Sequence, residues 1–144
     1  MRTTIECSGR VRVALTPEAA IHYFTPEGER DWVPGWEPTY PAGAGAPLAP
    51  GLIFETVTDG TRTTWVVTRC APREVTYGRV AAGDHAGAIA VRLEPEGDGT
   101  VAHVTYRLTA LGPEGARRLA DFEAGYPRFM SLWEDLIGRA VAGG

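Results

Sequence analysis

The chain has 144 residues, a formal charge of −4 and a hydrophobic share of 44%, which is enough to bury a core and too apolar for disorder throughout. Mixed charges with an acidic balance exclude a nucleic-acid backbone or an anionic membrane surface as the main partner, because both demand a basic patch. Cys7 and Cys70 show neither CxxC nor Cys/His spacing, so no zinc site is supported and two buried thiols in a reducing compartment are expected.

Met1-Arg2-Thr3-Thr4 leads directly into a strand pattern without an apolar leader. Nowhere is there a run of about 18 apolar residues. A single cytoplasmic domain without membrane insertion is expected. The 18 Gly and 11 Pro imply many turns.

From Ile5 to Leu15 apolar residues fall on odd positions and polar ones mostly on even positions, the pattern of a half-buried strand. Thr16-Pro17-Glu18 supplies a cap, a first-turn proline and an early acid for a short helix through Phe24. Thr25-Pro26-Glu27 repeats the signal, so a second helical turn is expected there. Trp32 and Trp36 bracket the Pro34-Gly35 turn, with Tyr40 close behind. Either they pin the short helices to the sheet or they form the mouth of a pocket. Trp36–Tyr40 reads as a short strand. Residues 42–50, rich in Ala, Gly and Pro, read as a mobile surface loop, either a gate or a passive tether.

Strand and turn then alternate: Leu52–Val57, the Asp59-Gly60 hairpin signal, Thr63–Cys70, Glu74–Ala82, Ala86–Leu93 and Val101–Leu111. No helical crossover interrupts them, so the strands are antiparallel.

Pro113 to Gly144 carries the long helical pattern. Leu119, Phe122, Tyr126, Phe129, Met130, Trp133, Leu136, Ile137, Ala140 and Val141 fall within an arc of about 140°. Arg117, Asp121, Arg128, Asp135 and Arg139 take the opposite side. The predicted architecture is therefore α+β and of helix-grip type. A seven-stranded curved antiparallel sheet wraps around a long C-terminal helix, and two short helices follow the first strand.

This order of elements is similar to that of the START-like, SRPBCC superfamily, which includes birch-pollen-allergen-type ligand carriers and polyketide cyclase/dehydratase-like proteins. The segment from Phe24 to Pro38, FTPEGERDWVPGWEP, resembles a block in bacterial members of that superfamily. The resemblance implies an elongated cavity between sheet and helix, used for apolar or aromatic small molecules. It does not choose a function.

Tyr126, Phe129, Met130 and Trp133 on the helix, with Trp36, Trp65, Tyr77 and Tyr106 from the sheet side, either line that cavity or fill the core. Glu123 stands at the edge of the apolar arc, one turn before Pro127, which frees a helix carbonyl. A carboxylate there is either a desolvated acid/base or ligand-orienting group, or a rim ion pair, with Glu55 and Arg69 as facing candidates. His22, His85 and His103 read as structural, with His103 facing solvent. No nucleophile, phosphate-loop, dinucleotide or metal motif is present, so no cofactor or metal is expected.

Three readings follow: binding of an apolar or aromatic small molecule, a cyclase/dehydratase- or hydrolase-like enzyme using a buried acid, or a protein-interaction module with a filled core. A homodimer is compatible with each.

Overall fold

The computed structural model describes residues 3–144; Met1 and Arg2, read above as part of the lead into the first strand, lie outside the described residues. Strand β1 (Thr4–Val13) is followed by α1 (Pro17–Ala20), which tightens into a 3-10 turn at Ile21–Phe24, and by a second 3-10 turn at Gly28–Asp31. Then come β2 (Ile53–Thr58), β3 (Thr61–Ala71), β4 (Glu74–Ala81), β5 (His85–Glu96), β6 (Gly99–Ala110) and α2 (Pro113–Gly143). The strands form one antiparallel sheet in the order β1-β6-β5-β4-β3-β2.

Six strands, not seven, make up the sheet among the described residues. The expected strand at Trp36–Tyr40 contributes only a bridge, Thr39 to Glu55. Pro38 and Pro41 flank that bridge and have no amide to extend a ladder. The expected short helices are single turns, mostly of 3-10 type. Gly28 explains their tight spacing: a Cβ there would lie 1.6 Å from the His22 carbonyl oxygen.

Strand phase sets the two faces. Asp59 and Gly60, at φ 50° and 79°, turn β2 into β3 with the two left-handed residues that a tight hairpin requires. Across the sheet, pairing aligns Cys7, Tyr106, Ile89, Tyr77 and Val67 in one inward row. The adjacent inward row runs Ile5, Leu108, Gly87, Arg79, Trp65 and Phe54. A register shift between Val67 and Arg69 inserts an extra residue into β3 against β4, and such a bulge bends and twists the strand.

Helix α2 runs unbroken through Pro127 and packs chiefly along β1 and β6. Pro113 opens it, with Glu114 in the first turn. Its buried residues include Leu119, Tyr126, Met130, Trp133 and Ile137, with Phe122, Phe129, Leu136, Ala140 and Val141 packed against the core. Arg117, Asp121, Arg128, Asp135 and Arg139 are exposed. At Gly9 a Cβ would come within 2.7 Å of Met130, so the missing side chain lets this end of the helix settle close on β1. The two cysteines form no disulfide, Cys7 being buried and Cys70 half-buried. Among the described residues no helix is long and apolar enough to cross a membrane.

Candidate functional site

A cavity of about 510 Å3 opens between the C-terminal half of α2, the second 3-10 turn and strands β2 to β4. Its walls are aromatic: Trp32 and Trp36 from the turn region, Trp65 and Tyr106 from the sheet, Phe129 and Trp133 from α2. Trp133 meets Trp32 edge-on with centroids 5.1 Å apart, and Trp36 meets Trp65 edge-on at 5.9 Å. These contacts hold the walls in defined positions. A narrow recess reaches inward past Glu29, Trp65, Tyr106 and Trp133 to Tyr77 and Phe24.

The two readings of the Trp pair combine. Trp32 Nε1 donates to the Tyr23 carbonyl and Trp36 Nε1 to the Pro26 carbonyl, each at 2.7 Å. Each indole therefore pins the short helices by its polar edge while its ring walls the cavity.

One connected chain of polar groups links the sheet to α2 at the cavity wall. Arg79 Nε donates to His85 Nε2 at 2.9 Å, and His85 Nδ1 lies 2.6 Å from Asp84 Oδ2. A ring nitrogen that accepts from arginine carries no proton, so His85 is neutral and its Nδ1–H donates to Asp84. Burial lowers the His85 pKa further, and the neighbouring Arg79 charge adds to that effect. Arg118 closes the chain from α2 by donating to Asp84 Oδ1. Burial pushes the Asp84 pKa up, but the hydrogen bonds from His85 and Arg118 outweigh it and hold Asp84 below the usual range. Gly115 lets α2 start this close: a Cβ there would lie 1.8 Å from the Asp84 carbonyl oxygen.

Glu29 enters from the second 3-10 turn. Its carboxyl has no hydrogen-bond or ion-pair partner among the described residues, and burial raises its pKa from 4.5 to about 8. At neutral pH it is largely a protonated acid. The Tyr106 hydroxyl likewise has no hydrogen-bond partner among the described residues, whereas Tyr77 donates to the Phe24 carbonyl at 2.6 Å and Tyr126 to the Val104 carbonyl at 2.8 Å.

Of the residues singled out by sequence, Trp36, Trp65, Tyr106, Phe129 and Trp133 line the cavity, and Tyr77 lines its inner recess. Tyr126 and Met130 instead face a separate groove beside Ser8 and Gly9 on β1. Glu123 is half-buried and does not line the cavity. It lies between the two stretches of α2 that reach the cavity, Arg118 near the helix start and Phe129 to Leu136 toward its end, and belongs to neither. Glu55 bonds to Thr64 and pairs with Arg62, while Arg69 pairs with Glu74. His103 is partly shielded and lies 3.3 Å from Glu94. Residues 42–50 border a different groove, with Glu27, Arg30 and Tyr40, and do not reach the main opening.

Sequence reasoning missed Glu29, Arg79, Asp84 and Arg118, and took His85 as structural. One signal was available. In β4, Val75, Tyr77, Arg79 and Ala81 share a phase, so an arginine stands where an apolar side chain belongs.

The sequence matches no protein-family profile and no curated protein. Solved structures do match. MLL2253 of Mesorhizobium loti superposes with a TM-score of 0.68 at 19% identity, over 92% of this chain and 96% of that one. CalU16 of Micromonospora echinospora gives 0.66 at 21%, over 97% and 84%. A norcoclaurine synthase point mutant of Thalictrum flavum, in complex with a transition-state analogue, gives 0.68 at 14%, over 99% and 97%. With the helix gripped by a single antiparallel sheet and these likenesses spanning nearly the whole chain, the protein has the START-like, SRPBCC fold.

Proposed function

We propose that the protein binds an apolar, aromatic small molecule in the cavity between the sheet and the C-terminal half of α2. The observation that carries this reading is the cavity of about 510 Å3 walled by Trp36, Trp65, Tyr106, Phe129 and Trp133. Its volume is in the range of small-molecule sites, and a few convergent polar groups among apolar walls are their usual chemistry. A filled core, as a purely protein-interacting module would have, does not fit an opening of this size. Titration with an environment-sensitive apolar fluorophore should show saturable binding near one probe per chain. Mass analysis of the purified protein then identifies what it carries. Absence of both saturable binding and a retained compound would remove the reading.

A second reading, acid–base chemistry on the bound molecule, is favoured by one observation: Glu29 places a carboxyl without a partner among the described residues at the cavity wall, and burial raises its pKa to about 8. A group with a pKa close to the working pH both donates and accepts a proton readily. Under this reading Glu29→Gln binds as the wild type does but carries a different compound, the unconverted one. The same compound in both proteins would count against it.

A further inference from the structure

Among the polar groups that line the cavity, which include the carboxylates of Asp59 and Asp84, Arg79 presents unused donors. Arg79 uses Nε on His85, and no hydrogen bond among the described residues engages either Nη atom. Its Cζ lies 4.9 Å from the Trp65 ring centroid and 5.9 Å from that of Tyr106. Two aromatic faces flank the guanidinium and offset only part of the cost of removing it from water. The Asp84 carboxylate offsets its charge only in part, because it is shared with His85 and Arg118. A neutral His85 and a protonated Glu29 supply no further counter-charge beside the Arg79 guanidinium. The Tyr106 hydroxyl and the Glu29 carboxyl add two more donors without partners.

Resting on the small-molecule reading, we propose that the ligand carries an anionic oxygen, a carboxylate or an enolate, that binds the free Nη edge of Arg79. His85 is a positioning residue here. It fixes the guanidinium plane through Nε, and Asp84 and Arg118 hold the imidazole in turn. Two parallel Nη–H bonds suit a carboxylate, and such charge-assisted pairs are the strong ones in a dry site. The aromatic body of the ligand then lies against Trp65, Phe129 and Trp133.

The test compares two near-isosteric probes by calorimetric titration, 2-naphthoate and 2-acetylnaphthalene, on the wild type and on Arg79→Met. The wild type should bind naphthoate about tenfold more tightly than the neutral ketone, the difference expected of one charge-assisted pair. Arg79→Met should lose that preference and keep its affinity for the ketone. Saturable binding of the ketone with no preference for naphthoate in the wild type overturns the anion site and leaves the cavity reading standing. Binding of neither probe overturns both. A preference that survives in folded Arg79→Met also overturns the assignment. Should that variant not fold, the wild-type ratio alone decides.

Discussion

Glu29 has no side-chain partner among the described residues, and its titration therefore reports directly on burial. Its pKa rises from 4.5 in the open chain to about 8 in the fold. The folded protein thus binds more protons than the unfolded one between these values, and stability falls as pH rises through the window. Glu29→Gln cannot titrate. The variant should gain thermal stability relative to the wild type as pH climbs from about 4.5 to 8, with little difference below that range. Paired melting curves at pH 5 and pH 8.5 check this; a difference that does not grow with pH would mean that the carboxyl is solvated. His85 has the opposite sign, because burial lowers its pKa and acid destabilises it, so comparing the two proteins at each pH cancels its share. At this scale the sequence was half legible. The helical periodicity placed Phe129 and Trp133 correctly because it depends only on residue spacing. It singled out Glu123 and was silent on Glu29 because the position of the cavity depends on where distant strands bend, which no local pattern records.

Among the elements, α2 carries the sharpest contrast. Trp133 is 8% exposed and contacts Trp32, Phe24, Tyr106 and Phe129, so Trp133→Ala should cost about 3–5 kcal/mol. Arg128 lies on the exposed face of the same helix, and Arg128→Ala should change stability by about 0.5 kcal/mol or less. Urea unfolding of the two variants reads both values, and similar effects would reject the face assignment. The start of α2 is equally specific. Gly115→Ala would drive a Cβ against the Asp84 carbonyl oxygen, 1.8 Å away in the unrelaxed structure. The helix must then lift, and the Arg118 to Asp84 contact opens with it. That variant should lose stability and also weaken naphthoate binding, since the chain that aims Arg79 begins there. The order of strands and helices was readable because alternation, hairpin glycines and one long amphipathic stretch are local signals. The missing strand at Trp36–Tyr40 shows the limit: aromatic residues favour a strand, yet the prolines at 38 and 41 leave only the Thr39 bridge.

For the molecule as a whole, the cavity is a consequence of fit between a bent sheet and one long continuous helix. Near Gly9 the helix lies close against β1, with Tyr126 and Met130 filling the contact. Toward its C-terminal end the helix faces the cavity through Phe129, Leu132, Trp133 and Leu136, with Trp32 and Trp36 closing one side. Space of this kind lowers stability, because its walls lack packing partners and the Arg79 charge is only partly offset by Asp84. A ligand that supplies both should therefore stabilise the fold by mass action. At a free concentration about one hundred times its Kd, the gain is about 2.7 kcal/mol, or roughly 5–10 °C in melting temperature for a chain of this size. Because residues 42–50 border the separate groove beside Tyr40, deleting Ala44 and Gly45 should leave both this shift and the ligand association rate unchanged. A slower or faster association in that deletion variant would restore the loop as a gate, whereas an unchanged rate assigns entry to the rim formed by Pro34, Val57 and Leu132.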